Sequence, residues 1–471
     1  SIVFSMFSEV GNNFGTIHMI RLTKRLLRNN FFSGCCSMLD IKLIREDPDL
    51  VRNNLKRRKK PEFLEMIEEV IEVDKKWRAL KSDEDELRQQ RNQLTKSIQQ
   101  LKKEGKSDQI PNVIAEAKKI PGKIKELEEQ REQAKQKRDN LLLHIPNLLH
   151  ESVPYGEDDE GNVTVETWGE KPDFNFQPLS HVDLVDSLKL ADIERAAKTS
   201  GARFYFLQDD LVSIELAIIQ HAQQLLRKRG YRLIIPPTLV KGFIMEGGGF
   251  LPTYRDDVYK IEDEDLFLVG TSEAPLVGMH ADEILYEDDF PLRYAGFSTC
   301  FRTEAGAHGK DTKGIFRTHH FEKIEQISIT TPEKSWQEHD YLFETAELFW
   351  QSLKIPYRKV NICTGDLGIV ASKKFDLEGW YPSQQTYREL VSTSNCTDYQ
   401  TRRLKIRYRE KDGMPTEMAH SLNSTLIAIE RGLTCILENY QQEDGSVKVP
   451  DVLQKYTGFS EIVGQKKKKK E

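Results

Sequence analysis

Several signatures are missing from this chain. It has neither GxxxxGK[ST] nor GxGxxG, so any nucleotide it binds is not held by a P-loop or a Rossmann turn. Its six cysteines, Cys35, Cys36, Cys300, Cys363, Cys396 and Cys435, show no CxxC or Cys/His ligand spacing. That argues against a disulfide framework and a structural zinc site, and the thiols read as reduced. No apolar run approaches the roughly 18 residues of a membrane span, so a membrane protein is not expected. The net charge of −6 gives no hint of a polyanionic partner.

What is present is a long chain of 471 residues, 38% hydrophobic and 31% charged, the composition of a globular protein. At roughly 100 to 200 residues per domain this is two or three domains, a body with an appendage. Residues 1–37 contain one acid, Glu9, several Lys and Arg, and a Phe/Leu/Ile-rich stretch. They read as a leader or a misassigned start, because Met38-Leu-Asp-Ile-Lys looks like a natural beginning; an organellar transit peptide is the alternative. The tail Lys466 to Lys470 reads as a solvated end, with an RNA or partner contact as the alternative.

From Met66 to Leu101, apolar residues fall at 66, 70, 73, 77, 80, 87, 94, 98 and 101, the alternating steps of a heptad seam interrupted at Glu84 and Arg91. The spacing predicts a helix about 54 Å long. The break Lys102 to Pro111 then turns the chain, and a second seam runs through Val113, Ala117, Ile120, Ile124, Leu127, Ala134 and Leu141 to a stop near Pro146. Two such helices predict an antiparallel hairpin in which Glu84 lies near Arg131, with a kink at Pro121-Gly122. A two-helix arm is a spacer, a dimerisation device or a nucleic-acid contact. Residues 56–145 hold 23 Lys or Arg against 18 Asp or Glu, a surplus of five that favours the last only slightly.

Residues 147–190 are rich in Pro, Gly, Asp and Glu and read as a connection. Beyond it a helix is expected from Asp210 to Arg229, closed by basic residues and Gly230, then a short strand from Tyr231 to Pro237. Strand-like runs follow at 265–269, 292–301, 320–329 and 357–362, with no regular helix between successive pairs, which predicts an antiparallel or mixed sheet in an α+β fold. The expected divisions are 1–37 leader, 38–150 N-terminal domain with the arm, 151–195 connection, 196–460 catalytic body and 461–471 basic tail.

The chemistry concentrates where Phe301-Arg302-Thr303-Glu304 runs through a glycine-rich loop to Arg317-Thr318-His-His-Phe321-Glu322-Lys-Ile-Glu325. A hairpin with two arginines, a glutamate and an aromatic ring suits a nucleotide: Arg can clamp phosphate bidentately and a ring can stack on a base. This segment resembles motif 2 of class II aminoacyl-tRNA synthetases, in the form of the seryl-tRNA synthetases. Gly270-Thr271-Ser272-Glu273 is similar to that family's serine-binding turn, and Arg388-Glu389-Leu390-Val391-Ser392-Thr-Ser-Asn395 to its Glu-Val-Ser-Ser-x-Ser-Asn segment. His420 to Arg431 resembles motif 3, and Arg229 to Pro237 resembles motif 1, which in the family builds the dimer interface. The motifs stand in family order behind the helical hairpin and cover nearly all of 38–459. His320 stands where many relatives have Gln, and Asn423-Ser-Thr425 replaces the common bacterial Asn-Gly-Ser; neither removes a charged group.

The resemblance implies a homodimeric, cytoplasmic class II ligase that activates L-serine with ATP and Mg²⁺, without zinc, and charges tRNA(Ser), with tRNA(Sec) as a further substrate. It implies Arg302 and Arg431 as catalytic residues on the α-phosphate and the γ-phosphate end. Thr303, Glu304, Thr318, Phe321, Glu389, Leu390, Val391 and Ser392 fall on ATP-binding positions, with Glu389 and Ser392 also meeting Mg²⁺. Thr271, Ser272, Glu273, Arg302, Glu325, Asn423 and Thr425 fall on serine-binding positions. The arm is implied to bind the long variable arm of tRNA(Ser). The rivals are a paralogue that has lost charging or loads a carrier protein, and a coiled-coil RNA-binding protein without activity; the complete set of motif residues counts against both.

Overall fold

The structure, a computed structural model, describes residues 39–306 and 311–464. The leader 1–37, the part of the glycine-rich loop at 307–310 and the lysines of the tail lie outside the described residues, as do Cys35 and Cys36.

The N-terminal domain opens with α1 (Ile41–Glu46) and α2 (Pro48–Lys56), each started by an aspartate: Asp40 accepts from the Lys42 N–H and Asp47 from that of Leu50. The 43-residue helix α3 (Pro61–Lys103) follows, and its return is in two pieces, α4 (Ile110–Ala117) and α5 (Ile120–His144). Where the sequence predicts one kinked helix, the chain breaks at Lys118-Lys119 and restarts with Pro121 in the first turn, where its missing N–H does no harm. Ion pairs establish the antiparallel register: Glu69 with Lys137 at 2.6 Å, Asp74 with Arg138 at 3.1 Å, Glu84 with Arg131 at 2.8 Å, and Arg88 with Glu128 at 2.7 Å. The predicted meeting of Glu84 and Arg131 is present. At the root the seam differs from the heptad reading. Ile67 and Asp74 are buried instead of Met66 and Val73, because α3 packs there on α1 and α2 as well as on α5, around Ile44, Val51, Leu55 and Leu142.

The body is built on an eight-stranded sheet: β1 (Val163–Trp168), β2 (Arg232–Ile234), β3 (Leu292–Phe301), β4 (His320–Thr330), β5 (Tyr357–Asn361), β6 (Lys373–Tyr381), β7 (Thr386–Asn395) and β8 (His420–Ala428). Their spatial order is β1-β5-β6-β7-β8-β4-β3-β2, antiparallel throughout except for the parallel pair β2–β3. The mixed α+β sheet expected from the sequence is what forms. β2 is shorter than its apolar run because Pro236 and Pro237 cannot donate to a ladder. The stretch read as a mere connection supplies β1, whose Trp168 stacks on Tyr357 at 5.6 Å. Its residues are nearly all exposed, so no buried alternation marked it as a strand.

Helices α6 (Asp210–Lys228), α7 (Ser335–Ser352) and α8 (Ile429–Tyr440) cover one face of the sheet around Ile218, Phe349, Trp350, Leu433 and Ile436. The two-residue alternation of a strand then decides which side chains are free for chemistry. In β4, Ile324 joins the helix-side core, Gln326 donates to the Leu342 carbonyl of α7 at 3.3 Å and Ser328 to Glu338 at 3.0 Å. Phe321, Lys323 and Glu325 therefore point to the opposite face. No helix among the described residues is long and apolar enough to cross a membrane.

Candidate active site

On that opposite face a cleft opens with two lobes. Arg302, Lys323, Glu389 and Thr425 line both. Arg302 sits one residue past β3; its N–H donates to the His319 carbonyl at 3.0 Å, so the β3–β4 hairpin is still closed there. Its guanidinium Nε donates to the Gly270 carbonyl at 3.3 Å and lies 5.3 Å from the centre of the Phe321 ring.

The first lobe is walled by Glu304, Phe316, Thr318, Phe321, Glu430 and Arg431. Arg317 donates to Glu304 at 2.8 Å and holds its carboxylate in place. Phe316 lies between two cations, 4.1 Å from the Arg388 guanidinium and 5.1 Å from that of Arg431. Arg388 in turn donates to Asp311 at 2.7 Å. Arg431, in the first turn of α8, donates to the Glu389 carbonyl at 3.2 Å and lies 3.6 Å from its carboxylate. Desolvation by the surrounding walls opposes ionisation of Glu389, but the charges of Arg431, Lys374, Arg302 and Lys323 outweigh it and hold its pKa below the ordinary value. Glu430 faces the opposite situation: buried, it takes N–H donation from Glu322 at 3.1 Å on both oxygens and the Tyr205 hydroxyl, yet burial pushes its pKa up to about 8.

The second lobe presents carboxylates and hydroxyls. Glu325 is buried and pairs with the Lys323 ammonium; the hydroxyls of Thr425 and Thr271 donate to it at 3.2 and 3.4 Å. Glu273 accepts from Gln400 at 2.6 Å and from Asn423 at 2.9 Å, and burial, reinforced by the charge of Glu325, pushes its pKa up to about 7. A pocket that offers the carboxylates of Glu273 and Glu325 together with the guanidinium of Arg302 fits a zwitterion, whose ammonium and carboxylate need partners of opposite sign. The first lobe, with two rings, arginines and a carboxylate, fits a purine nucleotide, and the shared residues sit where the two ligands would meet.

Comparison with known proteins agrees. The family described as the seryl-tRNA synthetase N-terminal domain matches residues 38–149, and the tRNA synthetase class II core domain (G, H, P, S and T) matches 258–440. The chain is 48% identical over 453 residues to a serine–tRNA ligase of Thermococcus onnurineus, covering 92% of this chain and 99% of the relative. It is 45% identical to a crystal structure of seryl-tRNA synthetase from Pyrococcus horikoshii complexed with ATP, with a TM-score of 0.87 over 91% of this chain and all 100% of that one. A cytoplasmic serine–tRNA ligase from Naegleria fowleri in complex with AMP is 37% identical with a TM-score of 0.82, covering 91% of this chain and 99% of that one. The chain belongs to the seryl-tRNA synthetases. It is a class II ligase that activates serine with ATP and charges tRNA.

In this seryl-tRNA synthetase most of the residues singled out from the sequence converge on the cleft: Arg302, Glu304, Thr318, Phe321, Glu389 and Arg431 on the first lobe, and Thr271, Glu273, Glu325, Ser392, Asn423 and Thr425 on the second. Four do not present side chains to it. The Ser272 hydroxyl donates to the Gly296 carbonyl at 3.3 Å behind the turn, Thr303 donates to the Asp256 carbonyl, and Leu390 and Val391 are packed in the helix-side core. Lys323 and Phe316 were missed. Lys323 was legible, since it lies midway between Phe321 and Glu325 and alternation puts all three on one face. Phe316 lies outside any strand, and no periodicity announces it.

Proposed function

We propose that the two lobes hold ATP and serine respectively and that Arg302, shared by both, is the central catalytic group. What supports this is the junction itself: the cations Arg302 and Lys323 stand between an aromatic, arginine-lined lobe and a lobe that carries Glu273, Glu325, Thr271 and Thr425. Phe321 and Phe316 flank adenine, Glu304 accepts from its amino group, Thr318 contributes backbone contact, and Arg431 takes the γ-phosphate end. Glu325, Glu273, Thr271 and Thr425 hold the ammonium and hydroxyl of serine. Mg²⁺ carried by the triphosphate fits Glu389 and Ser392, hard oxygen donors beside the phosphate path, and supplies neutralisation of phosphate charge.

The serine carboxylate attacks the α-phosphorus in line, forming the acyl-phosphate bond as the bond to pyrophosphate breaks. Arg302 and Lys323 stabilise the charge that builds on the phosphate oxygens, and positioning provides most of the remaining acceleration. The terminal ribose hydroxyl of tRNA then attacks the acyl carbon, and AMP departs. Glu325 and the two threonines favour serine over alanine, because alanine leaves those buried polar groups unpaired. The basic arm is the part that grips the tRNA backbone, and tRNA(Sec) is included as a substrate. A homodimer built through the motif 1 strand, acting in the cytoplasm, completes the reading.

Serine-dependent exchange of pyrophosphate into ATP tests it, with threonine and alanine as controls. Exchange with serine alone, reduced at least about 10²- to 10³-fold by Arg302→Ala, is the expected outcome. Folded protein giving no exchange with any amino acid overturns it.

A further inference from the structure

The wall of the serine lobe is not held up by the catalytic body alone. Gly368, Val370 and Ala371 line this lobe, in an irregular stretch between β5 and β6. Irregular backbone leaves carbonyls that need partners, and here successive carbonyls find them in the N-terminal domain. The buried Arg58 guanidinium donates to the Leu367 carbonyl at 3.0 Å and to that of Gly368 at 3.3 Å. The Asn147 N–H donates to the Ile369 carbonyl at 2.8 Å, and its side-chain amide donates to that of Val370 at 2.9 Å. The same amide reaches the carbonyl of Cys396, another residue of the lobe, at 2.8 Å. Arg58 also donates to the Asn147 carbonyl at 2.9 Å, which closes the set on itself.

The two residues flank the arm. Arg58 stands just before α3 begins at Pro61, and Asn147 just after α5 ends at His144. Both are nearly inaccessible, 4% and 5% exposed. A guanidinium and an amide buried against carbonyls hold geometry in a way an apolar contact does not, since each lost donor leaves a buried acceptor unsatisfied.

We infer that Arg58 and Asn147 are positioning residues for amino-acid binding: the root of the arm holds the 367–371 wall against serine. This rests on the reading of the second lobe as the serine site. Neither side chain touches the nucleotide lobe, so their loss acts on serine and not on ATP.

Pyrophosphate exchange without tRNA, run on the full-length chain, separates these effects. Arg58→Ala and Asn147→Ala are expected to raise KM for serine about tenfold each, with KM for ATP within about twofold of wild type. Arg58→Lys, which keeps the charge and some donors, recovers part of the loss and serves if the alanine variant does not fold. Asn54→Ala is the control, since Asn54 exchanges bonds of 2.9 and 2.8 Å with Leu149 at the same root and makes no contact with the wall; its serine KM stays at the wild-type value. An unchanged serine KM in Arg58→Lys and Asn147→Ala, or equal rises for serine and ATP, overturns the inference. A wild-type protein without serine-dependent exchange overturns the functional reading instead.

Discussion

Glu430 and Glu389 stand on two sides of Arg431 and titrate in opposite directions. Glu389, half exposed and facing several cations, is held ionised, whereas Glu430 is sealed between Tyr205 and the Glu322 N–H and has a pKa of about 8. Because burial raises this pKa above the value of 4.5 for the unfolded chain, the folded state binds the proton more tightly. The contribution of Glu430 to stability is fully present below pH 4.5 and is lost as pH rises through about 8. Glu430→Gln removes this titration while keeping an acceptor for Tyr205. Relative to wild type it should be nearly neutral at pH 5 and more stable by roughly 2–4 kcal/mol at pH 9. Thermal unfolding of both proteins across that range checks it, and parallel curves refute it. Glu273, with a pKa of about 7, adds a slope of the same sign to both proteins and cancels in the comparison.

Within the arm, the informative element is the root of α3. Asp74 is 2% exposed and meets Arg45 at 2.7 Å, Arg78 at 3.1 Å and Arg138 at 3.1 Å, the last itself only 4% exposed and lying 4.9 Å from the Trp77 ring. Removing the acid takes a charge-assisted bond from buried Arg138, so Asp74→Ala should destabilise the N-terminal domain by about 3 kcal/mol. Faster hydrogen exchange in α3 and α5, with the sheet of the body unchanged, is the expected signature. Strands show a different limit of sequence reading. Glu389 and Ser392 are an odd number of residues apart, yet both face the cleft, because a bulge between Leu377 and Glu378 of β6 and their partners leaves Leu390 unpaired. A second shift between Thr425 and Ile427 does the same for β8, so that Thr425 and Ala428 share the cleft face. Alternation puts Phe321 and Glu325 on one face, but it fails at bulges, which depend on what lies across the ladder.

At the scale of the whole chain, the positive surplus of the arm is localised. Residues 89–127 contain nine Lys or Arg and four Asp or Glu, so the surplus of five found over 56–145 lies entirely in the distal part of the hairpin. Arg88 and Glu128 pair at 2.7 Å, and a short glycine link between them can replace everything beyond. This truncation should leave pyrophosphate exchange within about twofold of wild type, lower kcat/KM for tRNA charging more than about tenfold, and flatten its salt dependence. Equal charging by both proteins counts against the arm as the tRNA grip. The sequence by itself determined the hairpin, four of the eight strands of the sheet and most of the charged residues that line the cleft, because helix seams, strand alternation and motif chemistry are local properties of the chain. Only the tertiary structure decided that an acid-rich connection supplies an edge strand, that Phe316 lies between two arginines, and that Arg58 and Asn147 support a wall more than 200 residues away in sequence. Those depend on which backbone groups meet across the fold, and partners so distant leave no period in the sequence.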